Sequence, residues 1–194
     1  MGLFGFGKRR EDPPRPSHLD AIDLESAEDI AWVKQSGDPL IWHSVAQSII
    51  LFADDKHDFL SWLVEQERLD RVTAAMMFMT NSNGKNHLLS RVLAPEAIGG
   101  WMGEKQAVID HMIERLCEID KSHTFDENGV GLPGGFEEER QTTLAELSDH
   151  PLCPNRLLSQ PIEEDGVKLP YIDIGEGDLS SRAYLKKTMP FMVD

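Results

Sequence analysis

Apolar positions recur along this chain at intervals of three and four, and capping and turn residues interrupt them, so the pattern predicts a succession of helices. Ser26-Ala-Glu-Asp29 resembles a capping box with aspartate where glutamate is usual, and Gly37 closes the short helix that carries Ile30, Trp32 and Val33. Asp38-Pro39 starts the next helix, an N-cap residue followed by proline at the first helical position. Its stripe is Ile41, Val45 and Ile49, with Trp42, Ala46, Ile50 and Ala53 beside it. A polar break at Asp54 to Asp58 precedes Phe59, Leu60, Leu63 and Val64, so helices starting near 39 and near 58 form a hairpin. Asp70 caps a further helix with Val72, Ala75, Met76 and Met79 inward, and Thr80-Asn-Ser-Asn-Gly84 stops it.

Leu88, Leu89, Val92 and Leu93 predict a short helix closed by Ala94-Pro95, after which Gly99, Gly100 and Gly103 loosen the connection. The longest stripe follows, from about 104 to 119, through Val108, Ile109, Met112, Ile113, Leu116 and Ile119. A glycine-rich loop at 128–135 leads to an acidic helix near 137–149. Prolines 151, 154, 161, 170 and 190 break up the remainder, with an extended segment at Val167 to Ile174. Leu157, Leu158, Tyr171, Ile172 and Tyr184 are its expected anchors. The expected architecture is mainly α: a compact multi-helix bundle at 18–150, a disordered, flexible tail at 1–17, and an irregular extension at 151–194 packed on the bundle.

Composition narrows the function more than it specifies it. The chain has 194 residues with 34 acids against 19 lysines and arginines, a net charge of −15. That excess repels nucleic-acid phosphates and anionic lipid, so no nucleic-acid partner is expected. The two cysteines, Cys117 and Cys153, form no CxxC pair, which argues against structural zinc and fits a reducing cytoplasm. No apolar run is long enough to span a bilayer. Leu3, Phe4 and Phe6 beside Lys8, Arg9 and Arg10 suit at most weak interfacial contact.

The motifs offer little chemistry. Gly129-Val-Gly131-Leu-Pro-Gly134 matches G-x-G-x-x-G, but no strand precedes it, and Glu137, Glu138 and Glu139 occupy the helix start that a pyrophosphate needs. Asp126, Asn128, Gly131 and Glu137 fall at EF-hand positions, yet Val130 stands where an oxygen ligand belongs and Pro133 interrupts the loop. The methionines 76, 77 and 79 and the tryptophans 32, 42, 62 and 101 read first as core or rim anchors.

Trp62-Leu63, then Leu69-Asp70-x-x-Thr73-Ala74 and Phe78, resemble a bacterial family of helical domains of unknown function, over about residues 42–79. The resemblance implies a bacterial, mainly α protein and carries no catalytic residue. The reading that follows is a non-catalytic, cytoplasmic protein-binding domain, of an immunity or regulatory kind, with an acidic surface for a basic partner. Its candidate contact residues are Asp54, Asp55, His57, Asp58, Glu137, Glu138 and Glu139, and no metal or cofactor is expected. The alternative is a metal-dependent hydrolase with a site assembled between helices from His57, His111 and acids such as Asp54 or Asp110.

Overall fold

The computed structural model describes residues 22–50, 55–90, 100–122, 125–132 and 134–164, with side chains of the helix beginning at Gly100 described from Lys105 onward. The architecture is mainly helical, and no strand occurs among these residues. Helix α1 (Ala27–Ser36) is capped by Ser26, whose Oγ accepts from the Asp29 N–H at 3.2 Å and donates to Asp29 Oδ1 at 3.0 Å. Asp29 is one methylene shorter than the usual glutamate, and its other oxygen accepts from Asp23 N at 2.9 Å. Gly37 ends α1 at φ 63°, a left-handed position that glycine occupies without steric cost. Asp38 Oδ1 accepts from Leu40 N at 2.9 Å and opens α2 (Pro39–Ile50).

A 3₁₀ turn at Lys56–Asp58 leads into α3 (Phe59–Leu63). Helix α4 (Arg71–Met79) follows, capped by Asp70 through the N–H groups of Val72 at 2.8 Å and Thr73 at 3.3 Å. After it come α5 (Asn83–Leu88), the long α6 (Gly100–Ser122), α7 (Phe136–Leu147) and α8 (Asn155–Ser159).

Helix α4 lies at the centre of the described helices. The pattern predicts one inward face, but all nine residues are buried, because α2, α5, α6, α7 and α8 pack around it. Met76, Met77, Phe78 and Met79 each stay within 1 % of full burial, and enclosing side chains of that size is worth about 1.5–3 kcal/mol apiece. The methionines therefore fill core.

Three local expectations change. The Thr80–Gly84 stop is a single 3₁₀ turn, with Asn81 and Ser82 both at φ 55°, and α5 restarts at once at Asn83. Gly84 lies against the Phe78 ring so closely that a Cβ would overlap it. Gly100 and Gly103 belong to α6 instead of loosening its approach, although each glycine costs a helix roughly 1 kcal/mol. Within the stretch expected to be irregular, α8 forms and buries Leu157 and Leu158 completely. Residues 1–17, Ala53, Asp54, Val92, Leu93, the 167–174 segment and the anchors Tyr171, Ile172 and Tyr184 lie outside the described residues.

Candidate functional site

The expected acidic patch at 54–58 is, where described, a structural joint. The Asp55 carboxylate accepts from Ser61 N at 3.1 Å and from Leu60 N, so it holds the start of α3. His57 and Asp58 adopt left-handed conformations (φ 49° and 54°), and their carbonyls accept from Lys34 Nζ at 2.8 and 3.4 Å. His57 Nε2 lies 2.9 Å from the Glu25 carbonyl oxygen, and Lys56 pairs with the Glu25 carboxylate. These contacts tie the turn to α1 and to the residues just before it.

The second patch, at the start of α7, is partly spent in the same way. Glu137 forms a two-pronged pair with Arg140 (2.6 and 2.7 Å) and also accepts from Gln141 and from Ile162 N, each at 2.8 Å. The Arg140 hydrogen bonds hold its carboxyl down to about 2. Glu139 accepts from Ser82 Oγ at 3.0 Å and Thr143 Oγ1 at 3.3 Å, with Lys85 Nζ 3.7 Å away. Glu138 is exposed.

The cations in these pairs turn inward. The Arg71 side chain is 7 % exposed, while its partner Glu127 is 48 % exposed. Its guanidinium donates to the carbonyls of Leu157 and Gln160 at 3.3 Å and Pro161 at 3.1 Å, and to Glu127 at 2.7 Å. Arg140, also 7 % exposed against 33 % for Glu137, donates to the Leu158 carbonyl. Lys85 is 11 % exposed, against 33 and 35 % for Glu139 and Glu146. A buried guanidinium is tolerated only when its donors are matched, and carbonyls of the 157–161 segment supply the match. The solvent side of each of these pairs is carboxylate.

Sequence reasoning passed over a buried polar chain at the α2–α4 contact. His43 is fully buried, with Nδ1 2.7 Å from Thr73 Oγ1 and Nε2 without a partner. Asp70, besides capping α4, accepts at Oδ2 from Asn128 N at 2.8 Å and from Asn128 Nδ2 at 3.0 Å, fastening the 125–132 loop to the helix. Burial lowers His43 to about 4, against the opposing pull of Asp70. Asp120, buried on α6, accepts from Leu157 N at 2.6 Å and Arg156 N at 3.4 Å, and its carboxyl is raised by burial. The only sequence signal for His43 is its place beside Trp42 in an apolar stripe.

Of the residues of the hydrolase alternative, Asp54 lies outside the described residues, and the others make separate contacts. Asp110 accepts from Gln106 Nε2 at 2.8 Å and meets His87 Nδ1 at 2.8 Å, whereas His111 is exposed on α6 and His57 lies against Glu25. The EF-hand positions diverge as well. The Asp126 backbone bonds to Leu69 and Arg71, Asn128 bonds to Asp70, and Glu137 bonds to Arg140. Among the described residues, no group of three or more histidine, cysteine or acidic side chains is placed to hold a metal ion.

The glycine-rich loop does border cavities. A cleft of about 360 Å³ has Met79, Thr80 and the Asn81–Ser82 turn on one wall, and Gly134, Gly135 and Phe136 on the other, with Glu139 at its edge. A second, of about 240 Å³, shares Gly134 and Gly135 and is lined by Leu132, Ile162, Glu137 and Glu164. A third, of about 290 Å³, lies where Arg71, Glu127 and Gly129 face Gln160, Pro161 and Glu163. Leu132 N donates to the Glu163 carbonyl at 3.0 Å and holds the loop against the 160–164 segment.

Among the described residues, no helix is long and apolar enough to cross a membrane. Comparison with protein-family models, with curated proteins and with solved structures finds no match to this chain.

Proposed function

We propose that this chain is a non-catalytic protein-binding domain, of a regulatory or immunity kind, that offers an acidic surface to a basic partner in a bacterial cytoplasm. The observation that supports it is the unequal burial within the pairs made by Arg71, Arg140 and Lys85. Arg71, Arg140 and Lys85 are 7 to 11 % exposed while their glutamates are 33 to 48 % exposed. Charges directed in this way put the chain's carboxylate excess where an approaching protein meets it, which favours steering of a cation-rich surface and disfavours nucleic acid.

The residues of the bacterial resemblance support the same reading. Leu63, Leu69, Thr73, Ala74 and Phe78 are buried, Trp62 packs edge-on against Trp42 at 5.2 Å between centroids, and Asp70 is a helix cap. Those positions hold the fold, so a chemical role is not needed to account for them. Cys117 and Cys153 are free and buried, and burial raises the Cys117 thiol to about 12, which accords with a reducing compartment and an inert thiol.

The test is affinity capture of the tagged chain from its native cell, with elution by salt and mass spectrometry of the eluate. A basic protein recovered in equal stoichiometry and released by salt is the expected result. Recovery of the chain alone, holding one equivalent of tightly bound metal, would overturn this reading in favour of the hydrolase.

A further inference from the structure

We propose that the paired clefts on either side of Gly134 and Gly135 are a docking groove for a peptide segment of the partner, one that carries an apolar side chain between arginines or lysines. This deepens the protein-binding reading and rests on it. The apolar half of the groove is the larger cleft, where the half-buried Phe136 and the edge of the buried Met79 stand beside the polar Thr80–Ser82 turn, and its volume of about 360 Å³ lies within the usual range of about 300–1,000 Å³ for small-ligand pockets.

Gly134 and Gly135 form the saddle between the two clefts, because neither presents a side chain there. Gly135 has φ 99°, a conformation that other residues adopt only under strain. A Cβ on Gly134 would collide with the Glu164 carboxylate. A side chain at either place therefore raises the saddle or displaces an acid from the rim.

Charge selects the occupant. Glu139 borders the larger cleft, and Glu137 and Glu164 border the smaller. The Glu137 oxygens are already engaged by Arg140, Gln141 and Ile162 N, so Glu137 supplies field and no free acceptor. Glu164 is exposed, and so is Glu138, which stands between Glu137 and Glu139 in the sequence. Arg140, paired with Glu137, is buried and also donates from Nη1 to the Leu158 carbonyl. Glu139 is likewise engaged, by Ser82, Thr143 and Lys85, so the exposed Glu164 is the carboxylate that a ligand cation meets first. The pattern is an apolar slot with an acidic lip, and its complement is an aromatic or long aliphatic side chain flanked by cations.

The experiment uses the full chain and a fluorescein-labelled peptide with one phenylalanine between two pairs of arginines, read by fluorescence polarisation. The same peptide with alanine for phenylalanine is expected to bind about tenfold more weakly, since the slot holds the ring. Glu138→Gln with Glu164→Gln is expected to weaken the phenylalanine peptide about fivefold at low salt, and less at high salt. Gly134→Leu, checked for an unchanged melting profile, is expected to remove the preference for phenylalanine. Equal binding of the two peptides overturns the groove while leaving an acidic protein-binding surface intact. Absence of binding by either peptide overturns the broader reading with it. Replacing Lys8, Arg9 and Arg10 by alanine is expected to change the affinity less than twofold. About tenfold tighter binding after that replacement would make the chain's own basic segment the occupant and overturn the assignment to a partner.

Discussion

Acidification is predicted to weaken the α2–α4 contact through His43. The imidazole is fully buried, with Nδ1 2.7 Å from Thr73 Oγ1 and Nε2 unpartnered, so in the doubly protonated ring the Nε2–H has no acceptor. Asp70, which caps α4, is the acid that favours the cation, and desolvation outweighs it. The folded value of about 4 lies below the ordinary 6.5, so the neutral ring is the form that the fold prefers. Stability from this group is therefore complete above pH 6.5, declines as pH falls from 6.5 towards 4, and is constant below. Integrating the two titrations gives a loss of about 2 kcal/mol by about pH 5, and about 3 kcal/mol in full.

Urea unfolding at about pH 7 and about pH 5, compared between the parent chain and His43→Gln, isolates this contribution, because the two chains differ only at this side chain. Glu137, held to about 2, loses its own contribution from about its ordinary 4.5 downward and so acts mainly below that window. The parent chain is expected to lose about 2 kcal/mol more than the variant between the two conditions. Equal losses would refute the reasoning, as would a His43 imidazole signal that titrates near 6.5 in nuclear magnetic resonance.

Other substitutions probe the remaining joints. Arg71→Met removes the donor shared by the Leu157, Gln160 and Pro161 carbonyls and is expected to cost about 3 kcal/mol, with early proteolytic cleavage within 154–164; Arg71→Lys rescues little, because one ammonium cannot span the same acceptors. Asp70→Ala uncaps α4 and frees Asn128, so about 2 kcal/mol should be lost in thermal or urea unfolding, more than an isolated cap provides. Gly84→Ala would stabilise an open helix by about 1 kcal/mol, but here its Cβ meets the Phe78 ring, so calorimetry should show destabilisation of about 1–3 kcal/mol. Cys117, with its thiol at about 12, should resist alkylation at neutral pH until the chain is unfolded.

Much of the helical layout was legible because its signals are local. Ser26 with Asp29, Asp38 with Pro39, and Asp70 each satisfy helix N–H groups within two or three residues, and the stripe of Met112, Ile113, Leu116 and Ile119 needs only the helical period. The restart at Asn83 was hidden because Thr80 to Gly84 has turn composition, and only the close approach to Phe78 shows why Gly84 belongs in a helix.

The candidate site was legible in composition and illegible in direction. The sequence by itself determined the mainly helical chain, its caps, its apolar stripes and its excess of carboxylates, since these depend on neighbouring residues or on simple totals. Tertiary structure alone decided that α4 would be enclosed on every side, that His43 would be buried, and that Asp55 and Glu137 would be used inside the fold. It also turned Arg71 and Arg140 inward: Arg71 finds its carbonyl partners 86 to 90 residues away, a separation no local pattern encodes. The physical reason is that burying a charge requires matching donors and acceptors, and those partners exist only once distant segments have packed together.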